Sequence, residues 1–268
     1  DEVADLARTL EEMLVALGAA RSDTQAALDR QRRFVADASH ELRTPLTSIL
    51  ANLELLESEL EGEEAEIAGS ALRSSRRMRR LVADLLLLAR ADSGRVARRE
   101  PVNAGAVVRE AAGEAASLAE GHGLTVDIQP GAPLVVEAPG DELHRLVLNL
   151  IQNALVHTPP GTAVDVHARR EDDHVVIEVS DEGRGIPADL RPSIFDRFVR
   201  GDGDRGRGSG LGLSIVRAVA ESLGGTVALT DSDAGGARFT VRLPAAEARK
   251  DELPAPAPHA SAAAYRPS

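Results

Sequence analysis

Residues 34–46 read FVADASHELRTPL, and the apolar spacing that starts inside this stretch decides how the first part of the chain folds. From Leu42 onward Leu46, Ile49, Leu53, Leu56 and Leu60 recur at alternating steps of four and three, the heptad signature of a helix that packs along a seam. After a charged connection containing Gly62, the residues Ile67, Ala71, Ser74, Met78, Leu81, Leu85 and Leu88 repeat the spacing and predict an antiparallel partner helix. Two helices with one seam each cannot enclose a core. The expected solution is a homodimer in which two helices per chain build an antiparallel four-helix bundle.

His40 falls outside the seam positions Val35, Leu42 and Ile49, which turns its imidazole toward solvent. A neutral ring nitrogen there can act as a phosphoryl acceptor, with Glu41 placed to take a proton from the other nitrogen. Thr44, four residues on, shares the face of His40, where its hydroxyl could orient a water for dephosphorylation. Pro45 removes an amide donor just past the histidine and loosens the helix there. An exposed histidine is usually only a surface residue. This one lies in a stretch that closely resembles the H-box of sensor histidine kinases, with the core Ser-His-Glu-Leu-Arg-Thr-Pro-Leu unbroken, and the resemblance implies that His40 is autophosphorylated.

Beyond Ser93-Gly94 the period changes. A helix over 106–119 is expected, then strands at 124–128 and 134–137, a helix over 141–157, a hairpin of strands at 163–168 and 175–180, a helix over 210–223, and strands at 226–230 and 237–243. This predicts a two-layer α/β sandwich.

Three motifs in this second part carry chemistry. Asn149 and Asn153, at i and i+4 on one helix face, offer amide oxygens suited to Mg2+, although capping or an interhelix hydrogen bond would use them equally. Asp181-Glu-Gly183-Arg-Gly185-Ile-Pro follows a strand; its carboxylate can accept from the exocyclic amine of adenine, which favours ATP over GTP, while the glycines admit a flat base. Gly206-Arg-Gly208-Ser-Gly210-Leu211-Gly212-Leu opens a helix whose free amides can cradle phosphates, the alternative being a plain glycine loop. A Walker-A loop is excluded because the only lysine is Lys250.

In order and spacing, the run from Asn149-Leu-Ile-Gln-Asn153-Ala-Leu-Val-His157-Thr-Pro through Asp181, Phe195-Asp-Arg197-Phe198 and the glycine loop to Gly224-Gly225 resembles the histidine-kinase branch of the GHKL ATPases. The likeness implies a Bergerat-type ATP pocket, with Asn149 and Asn153 toward the metal and His157, Asp181, Gly183, Gly185, Arg197, Arg200, Gly208, Gly210, Leu211 and Gly212 toward the nucleotide. Arg197 and Arg200 are candidate phosphate contacts or solvating charges. Phe195 and Phe198 are core aromatics or lid-gating side chains. Val156 departs from the pattern, standing where many relatives carry Lys or Arg.

Composition narrows the rest. A net charge of -12 argues against nucleic-acid binding, and the absence of cysteine excludes disulfides, thiolate metal sites and Cys nucleophiles. The richest apolar run, Leu85 to Ala89, is far below the roughly 18 residues a membrane span needs. Asp1-Glu2 with Leu6, Leu10 and Met13 is similar to the second helix of a HAMP relay, which would put membrane segments upstream and this portion at the cytoplasmic face of a bacterial membrane.

The expected layout is therefore a HAMP helix and coiled coil over 1–29, dimerisation and histidine phosphotransfer over 30–94, catalysis over 95–245, and a disordered Pro- and Ala-rich tail over 246–268. The expected function is Mg-ATP-dependent phosphorylation of His40 and transfer to an aspartate on the receiver domain of a response regulator. The rivals are a GHKL ATPase without phosphohistidine and a catalytically inactive coiled-coil scaffold.

Overall fold

A computed structural model describes residues 45–92, 98–116, 119, 121–200 and 209–247. The chain divides into two compact units, Asp1–Arg95 and Val96–Ser268. His40, Glu41, Thr44 and Gly208, the HAMP-like segment and the tail from residue 248 lie outside the described residues.

In the first unit a helix over 45–59 (α1) turns at Gly62, whose φ of +65° suits a residue without Cβ, into α2, Gly62–Asp92. Glu57 lies against Gly69, and Glu54 pairs with Arg76 at 2.9 Å, so the two helices run antiparallel. Glu63 and Glu64 sit in the first turn of α2 and Arg90 in its last, each complementing the helix dipole.

The apolar side chains buried within one chain are Leu46, Leu50, Ala68, Leu72 and Leu88. The expected seam is therefore only partly internal: Ile49, Leu56, Ile67, Met78 and Leu85 remain exposed. Heptad spacing identifies apolar positions without saying which neighbour covers them, and here the hairpin uses positions such as Leu50 and Leu72 that the seam omitted.

The second unit is built on a five-stranded sheet in the order β2-β4-β5-β7-β6. Its members are β2 (Gly123–Ile128), β4 (Ala163–Glu171), β5 (His174–Asp181), β6 (Thr226–Asp231) and β7 (Ala237–Pro244). β4 and β5 form the expected hairpin, with Val166 opposite Val179. β2 runs parallel to β4, with Val126 opposite Val166, and the connection between them carries β3 (Val135–Ala138) and a helix. A separate two-stranded ribbon pairs β3 with β1 (Glu100–Asn103). That ribbon's first strand and the parallel pairing are absent from the expectations.

Three helices cover one sheet face: α3 (Ala104–Ala115), α4 (Gly140–His157) and α5 (Gly212–Ser222). Alternation sets the layers. Val164, Val166 and Ala168 of β4 are buried beneath the helices, whereas Asp165, His167 and Arg169 point to the other side. α3 starts two residues before its expected position because Asn103 caps it, its side chain accepting from the Ala106 amide at 3.2 Å.

Candidate functional site

α4 presents a fully buried face of Leu143, Leu146, Val147, Leu150 and Ile151, leaving Asn149 and Asn153 half-buried on one side of the helix. α4 packs on α5 so closely that a Cβ on Gly212 would lie 3.3 Å from Asn149 Oδ1. Asn149 thus faces the first turn of α5. Its Nδ2 is buried without a hydrogen-bond partner, an arrangement that disfavours folding unless a ligand or solvent completes it.

The opening of α5 is itself incomplete. Leu211, at its N-cap position, supplies no side-chain cap, and the first turn holds no acidic residue. Among the described residues no side chain caps the first-turn amides, so these and the positive end of the helix dipole can meet an anion. Leu211 is wholly buried and so anchors the helix start to the core. Ser209 Oγ accepts from the Leu211 amide at 3.3 Å, and Gly210, at φ +70°, supports the turn.

Asp181 ends β5 and is buried, yet it is held by backbone instead of a cation. Its Oδ1 accepts from the amides of Gly183 at 2.8 Å and Ala237 at 3.2 Å. Ser232 donates its hydroxyl to the Asp181 carbonyl at 2.7 Å and accepts from the Gly236 amide at 2.9 Å. A Cβ on Gly236 would overlap that carbonyl, and one on Gly185, at φ +68°, would meet the Gly235 carbonyl at 2.9 Å. The glycines expected to admit a base also let the turn nest against the β6–β7 hairpin.

Thr158, directly after α4, is a residue the motif reading passed over. Its hydroxyl donates to the Ala154 carbonyl at 2.7 Å, and a Cβ on Gly183 would come within 2.7 Å of its methyl carbon. The end of α4 is thereby pressed against the Asp181 turn. Arg191 is another: its Nε donates to the Ile186 carbonyl at 2.8 Å while its fork holds Asp231, lowering that carboxyl's pKa. Neither has a distinctive sequence signal, since Thr after a helix and Arg beside Pro are common in loops.

His157 closes α4 and is exposed, as are Arg197 and Arg200. Phe195 sits edge-on to the buried Phe239, ring centres 6.1 Å apart, which makes it a core aromatic; Phe198 is 63% exposed. Asn149 thus faces Gly212 at the start of α5, and the Asp181 turn abuts Thr158 at the end of α4. Among the described residues no group of three or more His, Cys, Asp or Glu could hold a metal ion.

Comparison with known proteins assigns the family. Residues 30–94 match the His Kinase A (phospho-acceptor) domain, and residues 139–247 match the histidine kinase-, DNA gyrase B- and HSP90-like ATPase family. The chain belongs to the sensor histidine kinases.

Among its relatives, the probable sensor histidine kinase TcrY of Mycobacterium tuberculosis is 42% identical over 250 residues, covering 91% of this chain and 52% of that protein. The histidine-protein kinase/phosphatase MprB of Mycolicibacterium paratuberculosis is 38% identical over 258 residues, covering 91% of this chain and 47% of that protein. The chain therefore spans about half the length of the curated relatives it matches. The crystal structure of full-length ShkA with AMPPNP aligns at a TM-score of 0.67 and 30% identity, over 80% of this chain and 46% of that one. As in this histidine kinase fold generally, a helical region precedes an α/β sheet domain. Among the described residues no helix is long and apolar enough to cross a membrane.

Proposed function

We propose that the chain is the catalytic portion of a sensor histidine kinase that uses ATP to phosphorylate His40 and passes the phosphoryl group to an aspartate of a response-regulator receiver domain. The observation that carries this reading is the pairing of an unpartnered, buried Asn149 amide with the uncapped first turn of α5.

That pairing suits a triphosphate. The α5 amides would hold phosphate oxygens, and the second oxygen of Asp181, Oδ2, is left to accept from the adenine amine because Oδ1 is occupied by two amides. The donor set also fits Mg2+: two side-chain amides without a carboxylate cage match an ion that keeps most of its water and is bound mainly by phosphate. Asn149 and Asn153 would hold it, and when bound it supplies charge neutralisation at the phosphates.

His40 then attacks the γ-phosphorus. An N–P bond forms, the bond to the ADP oxygen breaks, and Glu41 takes the proton from the other ring nitrogen. Thr44 would orient a water that hydrolyses the phosphorylated partner, releasing inorganic phosphate, in keeping with the kinase/phosphatase name of MprB. The domain limits 1–29, 30–94, 95–245 and 246–268, the homodimer and the membrane-facing location through upstream segments belong to the same proposal.

Incubation with γ-labelled ATP and Mg2+ tests it. Wild type should acquire acid-labile, base-stable label and His40→Gln none; label retained by the variant would refute the acceptor.

A further inference from the structure

We infer that His122 is a positioning residue for the base end of the nucleotide pocket, acting through Thr158; this rests on the nucleotide reading above. His122 precedes β2, far in sequence from every motif, and is half-buried. Its Nε2 lies 3.3 Å from the Thr158 carbonyl oxygen, and its Nδ1 is buried without a partner. A carbonyl only accepts, so the contact requires the proton on Nε2, which in a neutral ring leaves Nδ1 as the acceptor nitrogen.

The histidine is well anchored to make this bond. Its own amide donates to the Ala119 carbonyl at 2.8 Å, the Gly123 amide donates to Thr162 at 3.2 Å, and the Gly161 amide donates to Gly121. The corner before β2 is thus clasped to the loop after α4 by backbone bonds on both sides of the ring. Thr158, fixed at its carbonyl by His122 and at its hydroxyl by Ala154, abuts Gly183, whose amide holds Asp181 Oδ1. One line of contacts runs from the imidazole to the carboxylate that would read adenine.

Loss of the Nε2 donor leaves the Thr158 carbonyl short of its partner and frees the loop under Gly183. The phosphate end, set by α5 and Asn149, is untouched by this line. The full chain carrying His122→Leu should bind Mg-ADP about five- to tenfold more weakly, as expected for one part-buried hydrogen bond. KM for ATP in autophosphorylation should rise by the same factor, with kcat within about twofold and affinity for inorganic tripolyphosphate unchanged.

His122→Gln, whose amide nitrogen reaches the position of Nε2, should restore ADP affinity to within about twofold of wild type. His122→Phe keeps a ring without a donor, carries the same expectation as the leucine variant, and replaces it should that variant not fold. Nitrogen NMR of the imidazole should report the Nε2–H form. Wild-type affinity in both donorless variants, a glutamine variant as weak as they are, or an Nδ1–H ring would each overturn the inference. Failure of wild type itself to bind ADP would instead refute the nucleotide reading.

Discussion

Phe198 donates its backbone amide to the carbonyl of Gly210 at 2.8 Å, so residues twelve apart in sequence meet directly beside the first turn of α5. Both have positive φ, +64° for Phe198 and +70° for Gly210. A Cβ on Gly210 would lie 2.9 Å from Phe198 Cα, which leaves a side chain no room at this crossing. Gly210→Ala should destabilise the catalytic unit by about 1–3 kcal/mol and weaken ATP binding. Phe198→Gly, at an exposed site, should be neutral to stabilising. Thermal unfolding with and without Mg-ADP checks both, and a Gly210→Ala protein as stable as wild type would refute the steric argument.

Asp181 offers a cleaner separation of folding from binding. Because Oδ1 already accepts from Gly183 and Ala237, Asp181→Asn can keep both bonds through its carbonyl oxygen while presenting an NH2 where Oδ2 stood. The fold should persist. Affinity for adenine nucleotides should fall about 10- to 100-fold, the value of a charge-assisted hydrogen bond replaced by opposed donors, and the preference for ATP over GTP should shrink. Calorimetric titration with ADP and GDP reads this directly; unchanged selectivity would remove Asp181 from base recognition.

What the sequence made legible follows from locality. Asn149 with Asn153, and Gly210 with Gly212, are short contiguous patterns whose helix geometry puts them on one face or at one helix end, and the structure brings Asn149 beside Gly212. The hairpin of β4 and β5 is equally local. Contacts that depend on chain crossings were not visible: β2 beside β4 in parallel, Thr158 beneath Gly183, and Arg191 on Asp231 join segments whose separate sequences look ordinary. The helical seam was legible as a row of apolar residues, but its period does not say which of them the hairpin buries by itself, as it does Leu46 and Leu88, and which, such as Ile67 and Met78, it leaves exposed.

That split seam makes its own prediction. Ile67, Met78 and Leu85 stay 64%, 57% and 46% exposed on a hairpin whose internal core is made by Leu50 and Leu72. Large apolar groups repeated along one helix are costly to leave in water and fit the proposed second copy. Met78→Glu should raise the dimer dissociation constant at least about tenfold, the loss expected for one buried Met side chain, while Leu72→Ala should unfold the hairpin itself. Light scattering against concentration, paired with circular dichroism, distinguishes them. A Met78→Glu protein that dimerises as tightly as wild type would show the stripe to be plain surface.

On the sheet face away from the helices, Arg169 donates to Glu171 at 2.7 Å and to Glu178, and Arg242 donates to Glu171 at 2.6 Å, closing a network over the buried Val176. Hydrogen bonding from Arg169 is the first cause holding both glutamate carboxyls below their ordinary 4.5, and Glu178 raises the Arg169 pKa in return. A carboxyl with a depressed folded-state pKa contributes stability above its unfolded value and loses it as pH falls through the folded value. The network should therefore act fully at neutral pH and erode below about 4.5. With side chains still 20–42% exposed, solvent screening keeps the effect small: Arg169→Met should cost about 1 kcal/mol at pH 7 and much less at pH 3. Urea midpoints across that range test the sign. A variant whose deficit grows toward acid pH would mean that these carboxylates are protonated less readily in the unfolded chain than in the fold, the reverse of what the geometry requires.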